Sequence, residues 1–125
     1  MRRHPELIPI SREHHPMLLL AQLLKKDAPP YRGLPTTLDG KASYAVNIYE
    51  SFIRYHFTRE NEVLFPEVKA LCPGLVNLSH ELEQDHQQMA EIFRDIAEQQ
   101  YDEDTLHHLG SALELHIRKE ERFFF

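Results

Sequence analysis

One cysteine (Cys72), no tryptophan and only four glycines leave this 125-residue chain few of the usual structural staples. A lone thiol cannot close an intrachain disulfide, so a disulfide scaffold is excluded and nothing points to an oxidising compartment. No apolar run approaches the roughly 18 residues that a membrane-spanning helix needs. The opening stretch, MRRHPELIPI, carries charge but no apolar signal segment or cleavage site. A cytoplasmic location with no membrane partner is therefore the expectation. Basic residues are also sparse: 14 Lys and Arg stand against 20 Asp and Glu, for a net charge of −6. They form no cluster that would bind phosphates, so nucleic acid is not an expected partner. Nor does any segment alternate apolar and polar residues with the period of a half-buried strand.

What is present reads as one globular unit. Hydrophobic residues at 42% and charged residues at 27% are enough for a single core and its cover. Four segments carry helical periodicity. The first spans about Ser11 to Lys26 and stops before Ala28, Pro29 and Pro30. A loop holding Gly33, Pro35 and Gly40 follows. The second spans about Lys41 to Phe65, breaks at Pro66, and continues briefly to Leu71 before Pro73 and Gly74. The third runs from about Leu75 or Ser79 to Gln100. The fourth starts near Asp102 or Asp104, either of which suits a cap, and runs to the last residue. Four helices with mostly short connections predict an all-α, antiparallel up-down-up-down four-helix bundle formed by one domain over residues 1–125. Pro16 conflicts with a cap at Ser11, because it would then lie inside the helix and press on the Arg12 carbonyl. Either the first turn is distorted or the regular helix starts later.

The other unusual number is nine histidines, with no run at either end to suggest a tag. Their positions repeat. Ile10, Glu13, His14 and Met17 of the first helix recur at the same spacing as Leu82, Asp85, His86 and Met89 of the third. His56, Phe57, Arg59 and Glu60 of the second recur as His116, Ile117, Lys119 and Glu120 of the fourth. Each of these last two sets closes on an apolar triplet, Val63 to Phe65 and Phe123 to Phe125. Residues four apart share a helix face, about 6 Å apart along the axis. His56 thus points with Glu60, and His116 with Glu120.

Those faces are apolar. Tyr49, Phe52, Ile53, Val63 and Leu64 flank His56, and Leu109, Ala112, Leu113, Phe123 and Phe124 flank His116. Leu82, Met89, Ala90 and Phe93 share the face of His86, while Leu7, Ile10, Met17, Leu18 and Ala21 share that of His14. A carboxylate buried in such a core is costly unless paired or bound to a cation. A single core histidine is more often hydrogen-bonded than a ligand, and isolated His/Glu pairs are weak surface ion pairs. Four histidines and two glutamates in matched positions of a repeat point instead to a metal pair. Nitrogen and carboxylate donors without thiolate suit iron or manganese, with zinc possible.

The chain resembles the hemerythrin-like, HHE cation-binding family. The resemblance rests on Glu13-His14, on His56 and Glu60 with Leu64, Phe65 and Pro66, on Asp85-His86, and on His116 with Glu120 and Glu121. It implies an antiparallel four-helix bundle with an oxo- or hydroxo-bridged pair of iron ions. By that likeness His14, His56, His86 and His116 supply nitrogen, and Glu60 and Glu120 bridge. His15 is the alternative to His14, and Glu121 to Glu120. The oxygen-carrying members have a second histidine one turn along the third helix, and their fourth-helix carboxylate stands five residues after its histidine. The corresponding neighbours of His86 are Leu82 and Ala90, so this chain resembles the symmetric four-His, two-carboxylate branch. The expected role is sensing or handling oxygen, nitric oxide or iron, with a small diatomic ligand or peroxide as partner. A di-iron oxidase or peroxidase-type enzyme is the alternative, and an interaction module with a vestigial site is another.

The remaining candidates read as structural. His80 is expected at the surface or as a cap, His107 and His108 at the rim, and Cys72 in a break. Asp85 and Glu13 are off the metal-facing side and either support the site or are solvated. Tyr49 reads as core, with a redox partner as its alternative. The apolar end, Phe123 to Phe125, is expected either to precede further chain or to pack under the loop around Pro29, Pro30 and Leu71.

Overall fold

The computed structural model describes residues 12–124, and every regular element among them is helical. Helix α1 is His14–Leu23. Its first residue is His14, and the expected start at Ser11 lies outside the described residues, as do His4, Leu7 and Ile10. Pro16 thereby falls at the third helical position, where an absent N–H has no intrahelical partner to lose. Met17, Leu20, Ala21 and Leu23 make the buried stripe of α1.

The second helical rod covers residues 38–71 and is longer at its start than the sequence pattern suggests. Thr37 caps it, its hydroxyl accepting from the Gly40 N–H at 3.0 Å, so helix α2 is Leu38–Ile48. Gly40 belongs to this first turn rather than to the loop. A β-carbon there would stand 2.8 Å from the Thr37 hydroxyl oxygen, so glycine is what lets the cap close.

The rod continues through a π turn, Tyr49–Ile53, then α3, Arg54–Arg59, then a second π turn, Glu60–Leu64, then α4, Phe65–Leu71. In each π turn an N–H reaches back five residues, Arg54 to Tyr49 and Phe65 to Glu60. The expected break at Pro66 does not occur. Pro66 follows the wide turn directly, at the second position of α4, where the hydrogen-bond ladder is already changing register and its missing N–H costs least.

A short 3₁₀ turn, Pro73–Leu75, leads into α5, Val76–Ala97. Ser79, Leu82, His86, Met89, Phe93 and Ile96 are its buried line, alternating three and four apart. Helix α5 ends at Ala97 rather than Gln100. Gln99 turns to φ +64°, and the N–H groups of Gln99 and Gln100 close on the Ile96 and Asp95 carbonyls at 3.1 and 2.8 Å. This is a Schellman end built without glycine. Helix α6, Glu103–Phe123, starts from Asp102, whose side chain and Thr105 cap each other reciprocally. Asp104 instead pairs with Lys26 at the surface.

Contacts between rods fix their neighbours. The start of α1 meets the end of α6 through His14 and Glu121, and its end meets earlier α6 residues through Gln22 and Glu114. Tyr49 meets Phe93, while Lys69, further along its rod, meets Glu83. On α5 and α6, His86 meets His116 and Glu81 meets Lys119. The core has two parts. The larger includes Met17, Ile53, Phe57, Met89, Leu113 and Ile117. The smaller holds Leu64, Phe65, Val68, Leu82 and Phe124. Along the last three rods, buried Glu60, His86 and Glu120 each fall between a residue of one apolar cluster and a residue of the other.

Of the two expectations for the chain end, packing under the loop around Pro29, Pro30 and Leu71 is corrected for Phe124. Phe124 is buried against Phe65, with ring centroids 6.0 Å apart, in the smaller cluster beside Cys72 and Leu75. The Pro29–Pro30 loop follows the far end of α1, and Leu71 is exposed. Phe123 is exposed, and Phe125 lies outside the described residues.

Candidate metal centre

Between the two apolar clusters, His14, His56, Glu60, His86, His116 and Glu120 are all at most 3% exposed. Their Nε2 and carboxylate atoms converge. The two oxygens of Glu60 divide: Oε2 stands 3.3 Å from His56 and 3.5 Å from His14, and Oε1 stands 2.9 Å from His86 and 3.9 Å from His116. Glu120 offers one oxygen to both sides, 3.0 Å from His116 and 3.6 Å from His14. Two overlapping groups result that can each hold a metal ion, His14 with His56, Glu60 and Glu120, and Glu60 with His86 and His116.

The far side of every ring is also held. Nδ1 of His56 donates to Glu13 at 3.0 Å and that of His116 to Asp85 at 3.0 Å. Nδ1 of His86 donates to the Asn61 side-chain oxygen at 2.9 Å, and that of His14 to Glu121 at 2.7 Å. All four partners are oxygens that only accept, so the ring proton sits on Nδ1 and the lone pair on Nε2 faces inward. Glu13 is itself steadied by Arg59. Burial alone would raise the Glu13 carboxyl, but contacts with Arg59 and His56 hold it below the ordinary range. Asp85 is likewise held low against burial by His116 and Lys119.

Inside, this arrangement has no internal solution. Nε2 of His86 and of His116 stand 3.0 Å apart, so with both rings neutral two lone pairs would face each other. His56 Nε2 and all four oxygens of Glu60 and Glu120 are sealed from solvent without a hydrogen bond among the described residues. Without a cation, protons must compensate. Burial and the neighbouring Glu60 charge push Glu120 well above the carboxylate range. Glu60 goes well below it despite burial, through contacts with Glu120, His116, His14 and His56. His116 rises well above the imidazole range against its burial, drawn up by Glu120 and Asp85. One of two adjacent carboxylates therefore takes a proton, a place that a cation fills better.

A family model for the hemerythrin HHE cation-binding domain matches residues 9–125. The chain belongs to this family. Comparison with curated proteins and with solved structures finds no match.

The hemerythrin HHE pattern expected from the repeat falls on residues that the fold brings together. His14 is buried and His15 exposed, while Glu120 is central and Glu121 reaches the outer nitrogen of His14. His80 is exposed beside Glu83. His107 accepts the Lys26 backbone N–H at 3.0 Å, and His108 is exposed. Neither His15 nor His80 enters the centre, and Leu82 is fully buried one turn from His86. Tyr49 is half-buried and stacked on Phe93 at 4.3 Å. Sequence reasoning missed Asn61 and Glu121 as ring holders. The signal was available, since each directly follows a core glutamate in the repeat.

Proposed function

We propose that this domain is a non-haem metal-pair protein, with iron the preferred metal and manganese or zinc possible, that senses or handles oxygen, nitric oxide or iron. His14 and His56 would hold one ion, His86 and His116 the other, and Glu60 and Glu120 would bridge them. The opposed contacts along neighbouring rods support an antiparallel up-down-up-down bundle as the frame, in a single domain. The observation that carries the reading is the convergence of inward lone pairs and sealed carboxylate oxygens with no lysine or arginine among them.

A bound iron pair supplies one- or two-electron chemistry and open positions for a small ligand. The chain's own part is to orient and to exclude water. Glu13, Asn61, Asp85 and Glu121 fix each ring's tautomer and direction. Leu64, Phe65 and Leu82 close one side of the centre, and Met17, Phe57 and Met89 the other. A cytoplasmic location fits the single thiol and the fact that no helix among the described residues is long and apolar enough to cross a membrane.

With Leu82 and Ala90 flanking His86, each ion would have two nitrogens, which favours ligand handling over reversible oxygen storage. The test is to load the protein with ferrous iron without air and follow its visible absorption through cycles of oxygen addition and removal, with nitric oxide in a parallel sample. The expected result is a spectral response to both gases and an oxygen response that removal does not reverse. A change reversed over several cycles would mark an oxygen store, and no response to either gas would defeat the sensing reading.

A further inference from the structure

The internal repeat pairs Glu13 with Asp85, His14 with His86, His56 with His116, Glu60 with Glu120, and Asn61 with Glu121. Only the last pair differs in charge. Three of the four outer ring nitrogens donate to a carboxylate, and His86 alone donates to a neutral amide. From this, and resting on the metal-pair reading, we infer that Asn61 makes the two metal positions unequal. The His14–His56 position binds its ion more tightly and fills first.

The physical reason is donor strength. A hydrogen bond to a charged acceptor is roughly twice as strong as one between neutral groups. A carboxylate on Nδ1–H pushes electron density toward Nε2, which makes the ring a better ligand. His86 receives less of this push than the other three rings. The central carboxylates do not restore the balance, because Glu60 and Glu120 are shared between the positions. Solvent does not restore it either. The His86 ring lies flat on Phe57, with centroids 4.0 Å apart at 13°, and Phe65 tilts against it at 5.4 Å. Nearby cations act on both positions and do not set the gap: Lys119 stands 3.7 Å from Asp85, the partner of His116, and weakens its push. Arg59 has the same effect on Glu13 at the other position, so the uncompensated difference is Glu121 against Asn61.

Two cations sharing Glu60 repel, so even a symmetric site would fill in two steps. The order of filling and its response to substitution are therefore the diagnostic features. The experiment titrates Co2+ into the metal-free full chain, with affinities from calorimetry and positions from the proton resonances of the histidine rings. In the wild type, the first equivalent should shift the rings of His14 and His56 before those of His86 and His116. Asn61→Asp keeps the shape and supplies the missing charge, and should tighten the second step about tenfold, the scale on which outer partners act on metal affinity. Glu121→Gln should weaken the first step by a similar factor and bring the two constants together. Helical circular dichroism should be unchanged in both variants, separating donor strength from misfolding. Two Co2+ bound with His86 and His116 filled first, or constants that neither variant moves, would overturn the inference and leave the metal pair standing. Failure to bind any Co2+ would overturn both.

Discussion

Glu120 and His116 show how strongly a single residue's chemistry depends on the cation. In the metal-free protein both hold protons above their ordinary ranges, Glu120 through burial and the Glu60 charge, His116 against burial through Glu120 and Asp85. Folded values above unfolded ones mean that their stabilisation is complete at pH below the ordinary values. It is lost as pH rises through the raised ones. Glu60, held low, has the opposite sign: its contribution is lost only as pH falls below the ordinary carboxylate range. The metal-free protein should therefore melt at a lower temperature as pH rises from mildly acidic through the raised His116 value. The loaded protein should not show this fall, because the cation replaces those protons. Thermal melts of both forms across that window check it, and parallel curves would contradict it. The six central residues were legible in the sequence because burial leaves a periodic trace and the repeat doubles it. The four ring holders were not equally so. Glu13 and Asp85 precede a histidine yet serve the ring of a neighbouring helix, a relation that sequence spacing within one helix cannot express.

At the scale of elements, α1 and α6 approach closely at Gly110. A β-carbon on Gly110 would stand 2.6 Å from the Ala21 carbonyl oxygen and 3.2 Å from Leu24. Backbone cannot step aside as a flexible side chain can. Gly110→Ala should gain helix propensity yet lose about 1–3 kcal/mol net from overpacking, read as a lower denaturation midpoint. A midpoint equal to or above wild type would show that the two helices have slack. Element boundaries were the least legible part of the chain. Pro66 reads as a stop under ordinary helix rules, and only the π turn of Glu60–Leu64 makes it tolerable. The third helix ends before Gln100 because Gln99 adopts a conformation usually left to glycine. Gly40, a loop signal by composition, is part of a cap.

For the whole molecule, the polar layer interrupts what would otherwise be one continuous apolar core, with Phe57 and Met89 on one side and Phe65 and Leu82 on the other. Such a layer is destabilising when its groups are left unpaired, and it becomes a clamp across all four rods when a cation joins them. The same feature underlies both the fold and the proposed function. The most direct measurement is the metal content of the folded chain after anaerobic reconstitution with ferrous iron and removal of loose ions. It is best read by elemental analysis against protein concentration, beside His86→Ala and His116→Ala. Two irons per wild-type chain, with a clear loss in both variants, is the predicted result. A wild-type chain that retains no metal, or variants that retain as much as wild type, would contradict the assignment of these residues to a metal pair.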